Sequence, residues 1–340
     1  MSSSATPKVI NRDNTIDIAR GIAISLVVIG HSGISPYFWN IIYFFHMPLF
    51  FFISGCFLKP IDNITFNTFI KKLRWKELYK NFVIYSILFL IISPLLYQWG
   101  ISNTPTESIK DFFERLIIIC RFRTSTIDLL GQFWFLPVLF FTHALSLCTV
   151  SLIKVKNKIL ILGISICFYI SGYFCFLNGY KEPYDFSRIL YFSGFYLWGY
   201  LSYPLLNNLK DNIYILFITI SGIIYFSLIP ELVFTKTYLY CLSSLAGIFL
   251  VIYCSSKLGR GILLNIIGKH TLPIFIFHPF IMKITELLLS LFNVTTFSKG
   301  WPGANPANPY WWLYSIMGIF IPLGCLSLHK YFKNKLSQTE

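Results

Sequence analysis

Charge is scarce in this sequence. Asp, Glu, Lys and Arg make up 12% of its 340 residues, where an ordinary soluble domain carries roughly 25%. A globular protein of this length needs more polar side chains to cover its surface, which argues against a soluble enzyme. Acids are scarcer still, 14 against 28 bases, for a formal net charge of +14. No Cys-x-x-Cys pair occurs, which removes the common zinc pattern and a disulfide framework. Cys56, Cys120, Cys148, Cys167, Cys175, Cys241, Cys254 and Cys325 fall mostly inside apolar runs and read as small buried hydrophobes. The first apolar run is followed by no small-residue cleavage site, so it reads as a retained helix and not as a signal peptide. There is no soluble domain, low-complexity tract or internal repeat.

What the sequence does hold is apolar: 55% hydrophobic residues, 35 Phe and 21 Tyr, with a mean hydropathy of +0.64. A bilayer core of ~30 Å needs about 20 mostly apolar residues per helix. Ten runs meet that need, at 16–35, 38–58, 81–99, 132–153, 159–177, 189–206, 213–230, 237–256, 271–291 and 311–329. They are continuously apolar, whereas the strands of a membrane barrel alternate. The expected fold is therefore all-α, a polytopic transmembrane bundle of about ten helices.

The bases are scattered between the runs and form no stripe, which argues against nucleic acid as a partner. With the N-terminus in the cytoplasm, the inside segments hold 18 bases and the outside segments 8, while Arg20 and Lys283 lie within runs. The positive-inside rule then puts both termini in the cytoplasm and leaves Arg121 and Arg123 on the outer side, facing an acceptor or headgroups. Residues 59–80 interleave six bases with Phe66, Phe69, Leu73 and Trp75 and read as an interfacial amphipathic helix. Residues 107–121 have a similar pattern. The loop 292–310, with Trp301-Pro302-Gly303, reads as irregular and rigid.

Ionisable groups inside a membrane run are costly, so each is a candidate functional residue. The first run carries Asp17, Arg20 and His31. At about 100° per residue, Arg20 and His31 come within ~20° of each other around the helix, with His31 ~16 Å deeper, and Asp17 lies ~60° from Arg20. One face thus carries a cation at the cytoplasmic mouth and an imidazole well inside. Asp17 and Arg20 read equally as an i, i+3 ion pair at a helix start, and His31 as a core histidine bonded to a neighbouring helix. The second run contains His46 and, two residues on, Pro48, which frees a backbone carbonyl and bends the helix toward a cavity. Two histidines on adjacent helices could share one polar pocket, but a metal site lacks a third ligand. His278-Pro279 reads as a helix bend, Lys283 and Glu286 as a self-neutralising i, i+3 pair, and His143 as structural.

Asp17-x-x-Arg20-Gly21, the ten residues between Arg20 and His31, and Phe45-His46-Met47-Pro48-Leu49-Phe50-Phe51-Phe52-Ile53-Ser54-Gly55 together closely resemble the acyltransferase-3 family. These are integral-membrane O-acyltransferases. The subgroup resembled is the fucose 4-O-acetylase type, which modifies bacterial surface polysaccharide. Phe133-Trp134-Phe135-Leu136 resembles a further family motif, as does Gly268-Lys269-His270-Thr271-Leu272-Pro273-Ile274-Phe275 with His278-Pro279.

The resemblance implies a domain over 16–329 between cytoplasmic tails at 1–15 and 330–340, in a bacterial inner membrane. It implies acetyl transfer from acetyl-CoA, with no permanently bound cofactor. The acceptor would be a sugar hydroxyl of a surface polysaccharide (O-antigen, capsule or similar) or of its lipid-linked precursor. His31 would be the base or an acyl relay, Arg20 would bind a donor phosphate, and Asp17 would orient Arg20. Arg74 and Lys72 would add phosphate contacts, or form an ordinary positive-inside loop. His46, Ser54, Trp134 and His278 would line a second tier of the pocket. A transporter or flippase of a glycan or lipid intermediate is the alternative reading of the same intramembrane groups.

Overall fold

The structure is a computed structural model that describes residues 14–103, 108–123, 128–153, 157–178, 185–206, 212–259, 261–297 and 307–336. Among these residues there is no strand. The helices are α1 (Thr15–Gly30), α2 (Pro36–Gly55), α3 (Phe66–Lys72), α4 (Tyr79–Gln98), α5 (Ile109–Cys120), α6 (Phe135–Leu152), α7 (Lys158–Leu177), α8 (Phe186–Ser202), α9 (Ile213–Ser227), α10 (Pro230–Thr235), α11 (Thr237–Lys257), α12 (Ile262–Lys269), α13 (Thr271–Leu291) and α14 (Trp311–Leu336). A 3-10 segment, Asp128–Trp134, leads into α6.

Each of the ten apolar runs contains a long helix. Seven of the resulting spans are long and apolar enough to cross a membrane; α1, α8 and α9 are shorter. Ile84, Leu88, Ile91 and Leu95 on α4, with Ile159, Leu162, Ile166 and Ile170 on α7, are exposed. A soluble monomer does not present such continuous apolar faces; they suit contact with lipid. All eight cysteines are free, but only Cys56 is buried, and Cys120, Cys167 and Cys325 are exposed. The expectation of buried cysteines thus holds for Cys56 alone, because a helix of a membrane bundle can turn apolar side chains outward.

The chain enters α2 through Ser35 and Pro36, the latter at the first helical positions, where its fixed φ suits a helix start. Pro48 stands inside α2 and Pro279 inside α13. Close helix crossings set the frame. A Cβ on Gly21 would strike the Leu264 carbonyl, and one on Gly268 the Asp17 carbonyl, so α12 lies directly on the start of α1. In the same way Gly55 meets the Tyr196 backbone and Gly199 the Phe52 backbone, which fastens the C-terminal parts of α2 and α8 together. Gly30 approaches Ile42 and Tyr43, so α1 and α2 run antiparallel. One end of the bundle therefore gathers the start of α1, the ends of α2 and α8, and the connection 56–78.

That connection is not one amphipathic helix. Only Phe66–Lys72 is helical, capped at Thr65 by a reciprocal bond with Thr68. The helix stops at Leu73, whose backbone is extended, and the Lys72 carbonyl accepts a hydrogen bond from His143 Nε2 at 3.1 Å. The second amphipathic segment does form, as α5. Its C-terminus folds back on the first turns of α4: the Tyr79 hydroxyl donates to the Cys120 carbonyl at 2.9 Å, and Phe122 packs edge-on against Tyr79 and Phe82. Arg121 and Arg123 thus stand at the end that carries the basic connection, not at the far end. Trp301-Pro302-Gly303, residues 1–13 of the N-terminal tail and residues 337–340 of the C-terminal tail lie outside the described residues.

Candidate active site

Four bases converge at the end where α1 begins. Arg20 from α1, Lys59 from the segment after α2, and Lys72 and Arg74 from the connection line one opening of about 330 Å³, together with Ser54, Glu77, His143 and Tyr196. Arg20 lies 3.8 Å from Asp17, which is buried, and its guanidinium covers the Phe57 ring at 4.8 Å. Arg74 grips Glu77 through Nη2 at 2.6 Å and Nε at 2.8 Å. His143 holds the mouth in shape. Its Nε2–H donates to the Lys72 carbonyl, which leaves Nδ1 to accept from the Tyr196 hydroxyl at 2.7 Å. Four cations against one lining carboxylate make an anion-binding rim, and Arg is the side chain best shaped for phosphate.

A second cavity of about 270 Å³ continues inward, sharing Arg20, Ser54, Arg74 and Glu77 with the mouth. Beyond them its walls are apolar apart from Asn81 and Thr271, and include Ile24, Val27, Phe50, Leu139 and Phe275. Arg20, Ile24 and Val27 follow the i, i+4, i+7 stripe of one helix face, and the next position on that stripe is His31. The structure puts His31 just past the last residue of α1, as its C-cap, with φ still helical at −98°. Its side chain is not in the wall of the cavity; it pairs with α13.

That pairing defines a proton arrangement. His31 Nδ1 lies 2.9 Å from His278 Nε2, and the two rings are parallel to within 3° with centroids 5.2 Å apart. His278 Nδ1 faces the carbonyls of Ile274 and Phe275 at 3.0 and 2.9 Å. Carbonyls only accept, so His278 Nδ1 carries the proton. With both rings neutral, His278 Nε2 is then the acceptor and His31 Nδ1 the donor. His31 Nε2 is left as the unprotonated nitrogen, the form a base or nucleophile requires.

A third cavity, of about 320 Å³, contains His46 and Trp134. Met47 lines both this space and the inner cavity. Trp134 packs on Phe192, and Arg188 lies over its ring at 4.7 Å. Asp17, Arg20, Ser54, Lys72 and Arg74 are therefore brought together at the mouth, His31 and His278 meet as a pair, and His46 and Trp134 belong to the third cavity. Lys283 and Glu286 form a buried pair at 2.6 Å outside the walls of these cavities. Among the described residues no group of three or more His, Cys, Asp or Glu could hold a metal ion.

Sequence reasoning passed over Lys59 and Glu77 at the mouth, and Arg188 and the tyrosines of the third cavity. The i, i+3 spacing of Arg74 and Glu77 was a usable signal. The tyrosines, among 21 in the chain, carried none.

Comparison with known proteins gives two matches. A family model described as an acyltransferase domain, Acyl_transf_3, matches residues 13–330. The nodulation protein NolL of Mesorhizobium japonicum is 49% identical over 57 residues, 13% of this chain and 15% of that protein; the chain thus matches less than a sixth of that relative's length. No solved structure matches.

Proposed function

The chain belongs to the acyltransferase-3 family of membrane acyltransferases, and on that premise we propose that it transfers an acetyl group from acetyl-CoA to a sugar hydroxyl of a bacterial surface polysaccharide or its lipid-linked precursor. The observation that carries this reading is the four-base mouth opening into an apolar cavity along the Arg20–Ile24–Val27 stripe. Acetyl-CoA has the matching charge distribution: phosphates at one end and a slender, uncharged arm of alkyl segments and two amides carrying the thioester at the other. The phosphates bind Arg20, Lys59, Lys72 and Arg74, with Arg74 exchanging its Glu77 contact for phosphate. The arm lies along the cavity and presents its thioester toward His31. The mouth faces the cytoplasm, where acetyl-CoA is made, and both termini lie on that side of the inner membrane.

In the transfer the sugar oxygen attacks the thioester carbonyl carbon while its proton passes to His31 Nε2. The carbon–sulfur bond then breaks, and the imidazolium returns the proton to the departing CoA thiolate. The products are the O-acetyl ester and free CoA. His278 holds the His31 ring in the required tautomer.

His31→Ala is expected to lower O-acetylation about 10²–10⁴-fold, the usual contribution of a positioned base, while the protein stays folded in the membrane. Arg20→Ala is expected to raise the KM for acetyl-CoA about ten- to a hundredfold, the weight of a charge-assisted contact. The measurement is O-acetyl content by NMR and mass spectrometry of glycan from deletion and complemented strains. Full acetylation with His31→Ala removes His31 from the mechanism. Loss of the whole glycan upon deletion, instead of its acetyl groups, indicates transport.

A further inference from the structure

The third cavity belongs to the opposite end of the bundle from the basic mouth. Tyr173 comes from the last turns of α7, Ser187 and Arg188 from the first turn of α8, and Tyr240 from the first turn of α11. The mouth is built instead from the start of α1 and the end of α2. Because α2 and α8 are fastened together at their C-terminal parts, the first turn of α8 points away from the mouth.

The two ends also differ in chemistry. The inner cavity has no tyrosine in its wall. The third has four, at 43, 173, 191 and 240, beside Trp134 and Arg188. Flat aromatic faces with polar tips suit a ligand that is apolar on its faces and hydroxylated around its rim. The Tyr240 hydroxyl already donates to the Tyr43 carbonyl at 3.1 Å and Arg188 pairs with Asp185 at 3.5 Å, so the hydroxyl that a lipid tail would leave unmet is that of Tyr173. The Tyr173 hydroxyl is buried without a hydrogen-bond partner, and its residue is 9% exposed. Such a group asks for a ligand hydroxyl or an ordered water. His46 Nδ1–H donates to the Ile42 carbonyl at 2.8 Å, so its Nε2 remains to accept a hydrogen bond from a ligand in the cavity it lines. A volume of about 320 Å³ falls at the small end of the range for small-molecule sites, roughly 300–1,000 Å³.

We infer that this cavity is the acceptor site and holds one sugar ring of the glycan. The ring lies among Trp134, Tyr191 and Tyr240, its hydroxyls bond to Tyr173, Arg188 and His46 Nε2, and Met47 is the wall between acceptor and donor. This assignment rests on the acyl-transfer reading for its role, but sugar binding itself is measurable without any transfer.

The test uses the full-length protein in lipid nanodiscs. Saturation-transfer NMR is run with methyl α-L-fucopyranoside, methyl α-D-glucopyranoside, methyl β-N-acetylglucosaminide and octyl β-D-glucopyranoside, and acetyl-CoA binding is measured separately by calorimetry. Saturation is expected on the ring protons of at least one methyl glycoside. Tyr173→Phe removes a hydroxyl that has no partner, so its unfolding temperature stays at or above wild type. Its sugar affinity falls about tenfold, the weight of one buried hydrogen bond, and its acetyl-CoA binding is unchanged. Arg188→Ala is expected to weaken the sugar in the same way. Two outcomes overturn the assignment: no saturation of any sugar ring while acetyl-CoA binds normally, or saturation confined to the octyl chain, which means a lipid site. Sugar affinity equal to wild type in both variants overturns it as well. If instead sugars bind and acetyl-CoA does not, the cavity assignment stands and the acyl-donor reading fails.

Discussion

His31 and His278 are 247 positions apart in the chain and 2.9 Å apart in space. The sequence made His31 a candidate through its spacing from Arg20, because helical geometry is a local rule that a single run of residues reveals. It placed His278 only in a second tier of the pocket, through the family motif, beside its reading as a helix bend, since nothing local tells which distant helix an imidazole will meet. On the proposed mechanism the pair makes His278 a positioning residue. His278→Ala is expected to lower kcat about ten- to a hundredfold, the range seen when the partner that orients a functional imidazole is removed, with the KM for acetyl-CoA unchanged. A steady-state comparison of kcat and KM checks this. A rise in KM with unaltered kcat would mean that His278 shapes the donor cavity instead of the His31 tautomer. Ser54, at the end of the second-helix motif, borders both the mouth and the inner cavity, a placement its motif position alone could not supply.

At the scale of elements, hydrophobic runs of about 20 residues were legible because crossing a bilayer demands them, and all ten contain helices. The helix ends were less so. The first run continues apolar to residue 35, yet α1 stops at Gly30 and the chain turns through Gly33 at φ +83°. The connection after α2 looked like one amphipathic helix because its bases and aromatics alternate suitably; a tertiary bond from His143 to the Lys72 carbonyl competes with helix continuation and ends it. The motif at Gly268 finds its reason in packing. Gly268 lets α12 lie on the Asp17 backbone, which braces the turn that carries Arg20. Gly268→Ala is expected to destabilise the protein by about 1–3 kcal/mol, as overpacking of a tight contact does, and to lower the unfolding temperature in detergent. An unchanged unfolding temperature would show that α1 and α12 separate without cost.

At the scale of the molecule, orientation rests on the distribution of bases. The fold-back of α5 moves Arg121 and Arg123 to the end that holds Lys72 and Arg74, which sharpens the asymmetry that the sequence count had blurred. Single cysteines introduced as Lys71→Cys and Arg123→Cys, in a background without native cysteines, are expected to react with a membrane-impermeant thiol reagent from the same face, the cytoplasmic one. Labelling from opposite faces would break the proposed orientation. Met47 stands where the inner and third cavities touch, the donor and acceptor spaces of the proposed reading. A large nucleotide thioester and a long sugar chain then arrive and depart through separate doors, and neither has to pass the other. On the proposed reading, what traverses the bilayer is a two-carbon fragment, and the cell decorates its exterior without opening a pore for either partner.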